Sequence, residues 1–567
     1  MTASEHDAPI EPSIEAYRFF EREWDDYAQL SDAFEWVVPD QFNAATFLCD
    51  RWAEAAADRV ALVVVDPDGT DAEYTYGQLQ RTANQLADCL VARGVGRGDR
   101  IAVSGSQKLE TLATHLAAWK LGAATVPLSV RFGPDGLEHR LRDSGATAFV
   151  VDEAGLSALR GIEADCEALE TVLVVGDAAA GDEEPFREAV DGRSTDVETA
   201  TVDAVEPATV MYTSGTTGPP KGVVHPHRSL LGVLPSHVLQ ARNMAVRDDD
   251  LLYSPAEWSW LGPLYQGILP SLYYGDRILG DAAPGFDPER IFELINRYGI
   301  TVVGGATTVY RFMMQVPQPG ERYDLSSLRV VIGAGEALGQ TVVEWWRDVA
   351  DVAVHEAYGQ TEAGVFVGDC EALGVPHEPG RMGKPVPGYE VRVADADSTE
   401  PVEPGDLGEI AVRYDGNPGC FSEYWNAPAE TDRTVRDGWL LTEDVGSQTD
   451  GGSLSFHSRA DDVIVSSGYR LGPAEIEECL AAHDAVANAG VIGVPDDTRG
   501  EIPKAFVQLA EGDEPTDELA ERLQGHVKER LAKHEYPREL EFVAELPLTT
   551  TGKVRRHDLR DREGLAE

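Results

Sequence analysis

Residues 212–224 read Tyr-Thr-Ser-Gly-Thr-Thr-Gly-Pro-Pro-Lys-Gly-Val-Val, and the reading of this stretch decides the fold. Val210 and Met211 lead into it as the end of a predicted strand. Thr213, Ser214, Thr216 and Thr217 then supply hydroxyls, while Gly215, Gly218 and Gly222 leave main-chain N–H groups uncovered. Lys221 adds the only formal positive charge of the loop. Exposed amides, hydroxyls and one ammonium all complement clustered anionic oxygens, so the loop predicts polyphosphate binding. It is not a Walker A loop, in which the lysine follows a glycine and precedes Ser or Thr; here Lys221 precedes Gly222.

Working outward, a chain of 567 residues is too long for one core and predicts two or more domains. Its 43% hydrophobic content supports ample burial. The charge is extreme: 99 Asp and Glu against 47 Lys and Arg give −52, with the acids dispersed along the chain and only eight lysines. Such a surface suits concentrated salt, where self-repulsion is screened, and suggests a halophilic protein. It also argues against nucleic acid as a partner, since phosphate attraction dominates that affinity. The six cysteines stand singly, with no CxxC pair, and predict small core residues in a reducing compartment. The acidic N-terminus has no basic-then-apolar segment, and the uncharged run 258–275 is broken by Pro263 and Pro270. The run reads as a buried wall, not an integral membrane span, in a cytoplasmic protein.

Residues 1–40 read as an acidic, aromatic-rich leader packed on the body. From Phe42 onward apolar runs (60–65, 101–104, 147–151, 171–175, 301–304, 330–332) alternate with amphipathic stretches such as 76–93 and 109–121. That alternation predicts layered α/β architecture with largely parallel sheets. The acidic stretch 177–202 reads as a loop. Around 405–412 shorter strands suggest a small β-rich subdomain. The large domain is placed at 41–459 and a small α+β module at 460–567, with helices at 473–482 and 517–531 and strands at 489–494 and 504–509.

Further constellations accompany the loop: Gly-Ala-Gly-Glu at 333–336, Tyr-Gly-Gln-Thr-Glu at 358–362, Thr-Glu-Asp at 442–444, Ser-Arg-Ala-Asp-Asp at 458–462, Ser-Gly-Tyr-Arg at 467–470 and Thr-Gly-Lys-Val-Arg-Arg at 551–556. In this order and spacing they resemble the adenylate-forming superfamily of acyl-CoA synthetases, luciferases and peptide-synthetase adenylation domains, over nearly the whole chain after residue 40. The resemblance implies a large adenylation domain and a mobile C-terminal domain, with ATP, CoA and Mg²⁺ as cofactors and a small carboxylic acid as substrate. It leaves oligomerisation open.

Carried over residue by residue, the resemblance gives Thr213, Ser214, Gly215, Thr216, Thr217, Gly218, Pro219, Pro220 and Lys221 the ATP phosphates. Gly335, Glu336 and Ala337, with Glu356, Ala357, Tyr358, Gly359, Gln360 and Thr361, would line the adenine and α-phosphate region. Asp444 would accept hydrogen bonds from the ribose hydroxyls beside Arg459, and Glu362 would hold Mg²⁺. Lys553 is similar to the family's catalytic lysine, with Thr213, Lys221 and Arg470 assisting. Two anions must meet when a carboxylate attacks the α-phosphate, so cations have to offset their repulsion. Asp461 matches the hinge at which the small domain swings before CoA enters. Ser467, Gly468, Tyr469, Arg499, Lys528, Tyr536, Pro537 and Arg538 match CoA contacts, and Arg131 is a further candidate.

The run 458–473 and Tyr536-Pro537-Arg538 resemble the medium-chain acyl-CoA synthetase branch most closely. Acetyl-CoA synthetases place a Trp before Gln-Thr-Glu, where this chain has Gly359. The missing indole predicts an acyl pocket, walled by Trp258, Trp260, Gly333 and Gly359, in which added methylenes are buried at roughly 0.8 kcal/mol each. The expected activity is therefore an AMP-forming acyl-CoA ligase (a ligase forming carbon–sulfur bonds) acting on a medium-chain, branched or aromatic acid. The alternatives are a ligase that loads a carrier protein, an acetyl- or propionyl-CoA synthetase, and a non-enzymatic nucleotide-binding protein. Thr307, Ala337, Ser458 and Leu548 depart from the family pattern without deleting a group the chemistry needs.

Overall fold

The computed structural model describes residues 14–162, 165–213, 220–395, 398–459, 462, 464–466, 469–496, 500–510, 512–530, 536–549 and 553–565. Four sheets form among them. In the first, of nine strands, Arg277–Asp281, Leu251–Tyr253, Val302–Gly305, Val330–Ala334 and Ala353–Gln360 lie side by side and parallel. Parallel neighbours need crossover connections, which the intervening amphipathic helices supply. Directly after Gln360 the chain doubles back as the antiparallel strand Gly364–Gly368, so Thr361 and Glu362 are presented at the turn. The second sheet, of seven strands, ends on the antiparallel pair Pro207–Thr213 and Lys221–Pro226. Thr213 stands opposite Lys221, so the two ends of the glycine-rich loop are held as register partners.

The layered α/β expectation holds, and the helices are defined by local chemistry. Helix Tyr76–Val91 begins with a capping box in which Thr75 Oγ1 accepts from Gln78 N and Gln78 Oε1 accepts from Thr75 N. Each such cap contributes about 1 kcal/mol. One expectation is corrected: 177–202 is not wholly loop. Glu184–Pro185 adds an edge strand, and helix Phe186–Val190 seats Phe186 and Ala189 in a core cluster with Leu86, Leu90 and Leu173. Two apolar anchors one turn apart were enough to order it despite the surrounding acids.

The described part of the leader forms helices Glu15–Glu21 and Tyr27–Ala33 and then wraps the body. Tyr27 donates to Pro385 O at 2.6 Å, and Trp36 donates from its indole to Gly388 O at 2.8 Å. Gly388 has φ +90°, and a Cβ there would lie 2.6 Å from the Trp36 ring, so only glycine permits this seat. The third sheet is the small β-rich unit, built on Val391–Ala394, Gly408–Arg413 and Trp439–Gln448 and ending with Leu454–Arg459. The fourth begins at Ile464–Ser466 and Tyr469–Leu471 and centres on the hairpin Val486–Asp496 and Gly500–Leu509. Helices Pro473–Ala481 and Asp517–Arg530 close over it, burying Leu480, Val491, Leu523 and Val527 in a separate core.

All six cysteines are buried and none is in a disulfide. Among the described residues no helix is long and apolar enough to cross a membrane. The core also holds neutral histidines. Burial pushes His115 down to about 3 and His227 down to about 4, and His227 Nδ1 accepts from Ala44 N at 3.2 Å, which protonation would prevent. Both folded values lie below the ordinary histidine value, so the unfolded chain binds more protons on acidification. Stability is therefore expected to be fully present above about pH 6.5 and to fall below it, by about 1.4 kcal/mol per pH unit for each histidine. Urea midpoints measured between pH 7.5 and 5 check this; a flat profile rejects it.

Candidate active site

The site is built around the turn after Gln360, the exit of the glycine-rich loop and the bridged segments 547–549 and 553–555. Lys221 begins the strand Lys221–Pro226, and its Nζ lies 2.7 Å from Glu430 Oε2 and 5.5 Å from the Tyr424 ring centroid. His139 Nε2 donates to Pro220 O at 2.9 Å, bracing the residue before Lys221. Ser214, Gly215, Thr216, Thr217, Gly218 and Pro219 lie outside the described residues, as do Asp461, Ser467, Gly468 and Arg499. Tyr469 and Arg470 lie on the strand Tyr469–Leu471.

Asp444 is almost fully buried, at 5% exposure. Its Oδ2 accepts from Tyr358 Oη and Gln360 Nε2, each at 2.7 Å, and Arg459 lies 3.6 Å from Oδ1. Burial pushes its carboxyl above the usual range, and Arg459 is the largest opposing influence. The preceding Glu443 has φ +58°, costly for a residue with a Cβ. Its N–H is tied to Glu409 Oε1 at 2.8 Å, and the ladder to Gly408–Arg413 slips at this point. Such a kink re-aims the next side chain, here turning Asp444 toward Tyr358. This strained position carries no signature in the sequence.

The loop after Val330–Ala334 is open where a ligand is expected. Gly335 and Ala337 are exposed, with Gly335 at φ +88°. The Glu336 carboxylate accepts from Thr308 Oγ1 at 2.9 and 3.1 Å, which fixes its direction. Behind the loop, buried Glu356 accepts from Leu338 N at 3.3 Å and is pushed well up by burial and the neighbouring Asp369. Asp369 in turn accepts from Glu356 N at 2.9 Å and lies 3.1 Å from His377 Nδ1.

Lys553 comes from the small C-terminal module yet reaches this loop. A Cβ on Gly335 would sit 3.4 Å from Lys553 Cε. Its backbone is held by Thr549, whose N–H donates to Lys553 O at 2.7 Å and whose Oγ1 accepts from Lys553 N at 3.0 Å. The side chain is open to water along the cleft. The protein crowded around it nevertheless pushes its ammonium pKa down, while Glu336 and Asp444 pull it back up. Glu362 sits across the site: its Oε1 accepts from Tyr424 Oη at 2.8 Å, and its main-chain O accepts from Phe421 N at 2.7 Å. Burial raises this carboxyl, and the Tyr424 hydroxyl opposes the rise. A crowded carboxylate fits Mg²⁺, which takes one or two carboxylates and completes its shell with water and phosphate oxygens.

Among the expected CoA contacts, Lys528, Tyr536 and Arg538 come together. Lys528 Nζ lies 5.1 Å and the Arg538 guanidinium 4.9 Å from the Tyr536 ring centroid, with Pro537 between in sequence. Arg131 sits on the large domain, 3.0 Å from Glu257.

One premise of the acyl pocket expected from the sequence, the space left at Gly359, is corrected. Glycine at 359 leaves no hole: a Cβ there would lie 2.7 Å from Val365 Cα and closer still to the Gly364 carbonyl oxygen. The ladder bulges between Tyr358 and Gly359, and the paired backbone takes the space an indole would need. At Gly333 the Cβ position is taken by Leu338. Trp258 is a core side chain at 1% exposure, packed near Gly280. Trp260 is half-buried, edge-on to Phe132. Ile332 and Gly304 lie on central strands flanked on both sides yet stay half-open, which marks them as cleft wall.

The sequence reading missed Tyr424, Glu430, Thr308 and Glu443. The first two lie only two to eight residues beyond Ser422, whose N–H donates to Val224 O at 2.8 Å, but nothing in the sequence signals that pairing.

Comparison with known proteins gives the same outline. The family described as AMP-binding enzyme matches residues 49–425, and the AMP-binding enzyme C-terminal domain matches residues 475–553. The uncharacterized acyl-CoA ligase YtcI of Bacillus subtilis (strain 168) is 33% identical, covering 93% of this chain and 97% of its own. The mitochondrial acyl-coenzyme A synthetase ACSM4 of Rattus norvegicus is also 33% identical, covering 97% and 96%. The crystal structure of the anthranilate CoA ligase AuaEII with anthranoyl-AMP superposes with TM-score 0.85 at 28% identity, covering 93% of this chain and 98% of that one.

Proposed function

The chain belongs to the AMP-binding enzyme family and is an AMP-forming acyl-CoA ligase, and from that premise we propose that it activates a carboxylic acid larger than acetate, with Lys553 as its catalytic cation. The observation that carries the site assignment is the approach of Lys553 to Gly335 from a separate module, with Glu336 and Asp444 as its electrostatic neighbours.

In the first step a carboxylate oxygen of the acid attacks the α-phosphorus of ATP, and the bond to the bridging oxygen breaks to release pyrophosphate. Lys553 offsets the charge that gathers between carboxylate and α-phosphate, and Lys221 holds the outer phosphates. Asp444, oriented by Tyr358 and Gln360, accepts from the ribose hydroxyls. Glu362 would hold Mg²⁺, which would supply neutralisation of the phosphate charge. In the second step the CoA sulfur attacks the acyl carbon, loses its proton, and the bond to the AMP oxygen breaks. For this the domain 460–567 pivots at Asp461, withdraws Lys553 and admits the thiol arm past Gly468. Lys528 and Arg538 meet the CoA phosphates.

The substrate class rests on the half-open cleft wall at Gly304 and Ile332 and on the relatives, one of which is an anthranilate CoA ligase. We expect kcat/KM to rise from acetate toward hexanoate or benzoate, by roughly fourfold per buried methylene at 0.8 kcal/mol each. A series from acetate to octanoate, with benzoate beside it, checks this; a maximum at acetate rejects the larger acid in favour of the acetyl- or propionyl-CoA synthetase alternative.

A further inference from the structure

The segment 421–425 is bridged to the strand Lys221–Pro226 and ties two parts of the site together. Ser422 N donates to Val224 O at 2.8 Å, Val224 N to Glu423 O at 3.0 Å and Trp425 N to Gly222 O at 2.7 Å, so Tyr424 lies opposite Val223. The same segment reaches the turn after Gln360 through Phe421 N, which donates to Glu362 O at 2.7 Å. Tyr424 then spans the gap: its hydroxyl donates to Glu362 Oε1 at 2.8 Å while its ring lies 5.5 Å from Lys221 Nζ. Its backbone is itself fixed, with Tyr424 N donating to Thr431 Oγ1 at 2.9 Å and Ala427 N to Tyr424 O at 3.1 Å.

We propose that Tyr424 is a positioning residue for the magnesium site: it engages one oxygen of Glu362 and leaves the other to the cation. A glutamate carboxylate hangs on three rotatable side-chain bonds, and its direction is poorly defined unless one oxygen is anchored. Hydrogen bonds to ligating carboxylates fix their orientation, and their loss typically lowers metal affinity 10- to 100-fold. Because the segment carrying Tyr424 is bridged at Val223 to the strand that begins at Lys221, the anchor also ties the metal carboxylate to the phosphate-loop lysine. The proposal rests on the assignment of Glu362 as the metal carboxylate.

The test uses the full chain with ATP and no acid, and Mn²⁺ as the probe ion. Calorimetry gives the factor by which Mn²⁺ tightens ATP binding relative to EDTA. Tyr424→Phe keeps the ring beside Lys221 and removes only the hydroxyl. It is expected to leave ATP affinity in EDTA unchanged and to cut the metal-dependent factor about tenfold. Glu362→Gln is expected to abolish that factor, and Tyr424→Phe added to Glu362→Gln is expected to change nothing further. Tyr424→His, which retains a ring N–H donor, is expected to recover part of the loss and guards against a folding defect in the Phe variant. An undiminished metal factor in Tyr424→Phe, or an equal further loss on top of Glu362→Gln, overturns the proposal. A factor that survives Glu362→Gln overturns the metal assignment beneath it, which is a separate and distinguishable failure.

Discussion

Lys553→Ala lowers acyl-adenylate formation about a thousandfold while leaving thioester formation from presynthesised acyl-AMP and CoA within about threefold. The first figure follows from removing one preorganised group aimed at developing charge, an effect of roughly 10² to 10³ in kcat. The second follows from geometry. The lysine reaches Gly335 in the arrangement seen here, and the proposed thioester step uses a withdrawn one. ATP–pyrophosphate exchange reads the first step and thiol consumption reads the second. The side chain is open to the cleft, so its truncation removes little packing, and thermal melting should be unchanged. Exchange that persists at parental rates would remove Lys553 from the reaction; equal loss in both steps would remove the division of labour.

Gly359→Trp is expected to lose adenylation of every acid by at least about a hundredfold and to gain nothing on acetate. From sequence alone, the same substitution reads as closing a pocket and shifting preference to short acids. The antiparallel neighbour excludes that outcome. Any Cβ at 359 meets the Gly364–Val365 backbone, which cannot yield as a side chain would. The strand pair must separate, and it carries Gln360, Thr361 and Glu362 with it. Overpacking with backbone shifts costs typically 1–3 kcal/mol, enough with misplaced groups to account for the loss. Comparing kcat/KM for acetate and hexanoate in parent and variant decides it: a variant that prefers acetate with near-parental turnover would mean that the strands part without harm.

The contrast between these two residues shows what the sequence discloses. Lys553 stood out because it is one of only eight lysines and sits inside a short distinctive motif, a signal local to the chain, and the structure brings it beside Gly335. The alternation of apolar runs and amphipathic stretches likewise disclosed the sheets, because burial periodicity is local. Gly359 was misread because its meaning lies in what stands opposite it, and strand register at a bulge is not written in either strand alone. Tyr424 and Glu430 stayed hidden for a related reason: they reach Glu362 and Lys221 across 62 and 209 residues of chain. The strained φ of Glu443 is a product of the surrounding fold, not of any residue preference.

The contact between Lys221 and Glu430 has a consequence for discrimination. That ammonium is paired with the Glu430 carboxylate, and Arg433 draws on the same group. A visitor evicts Glu430 only if it offers more negative charge than a single carboxyl group. A triphosphate would exceed that charge and adenosine would not, so on the role proposed for Lys221 its exchange of Glu430 for a nucleotide would depend on phosphate charge.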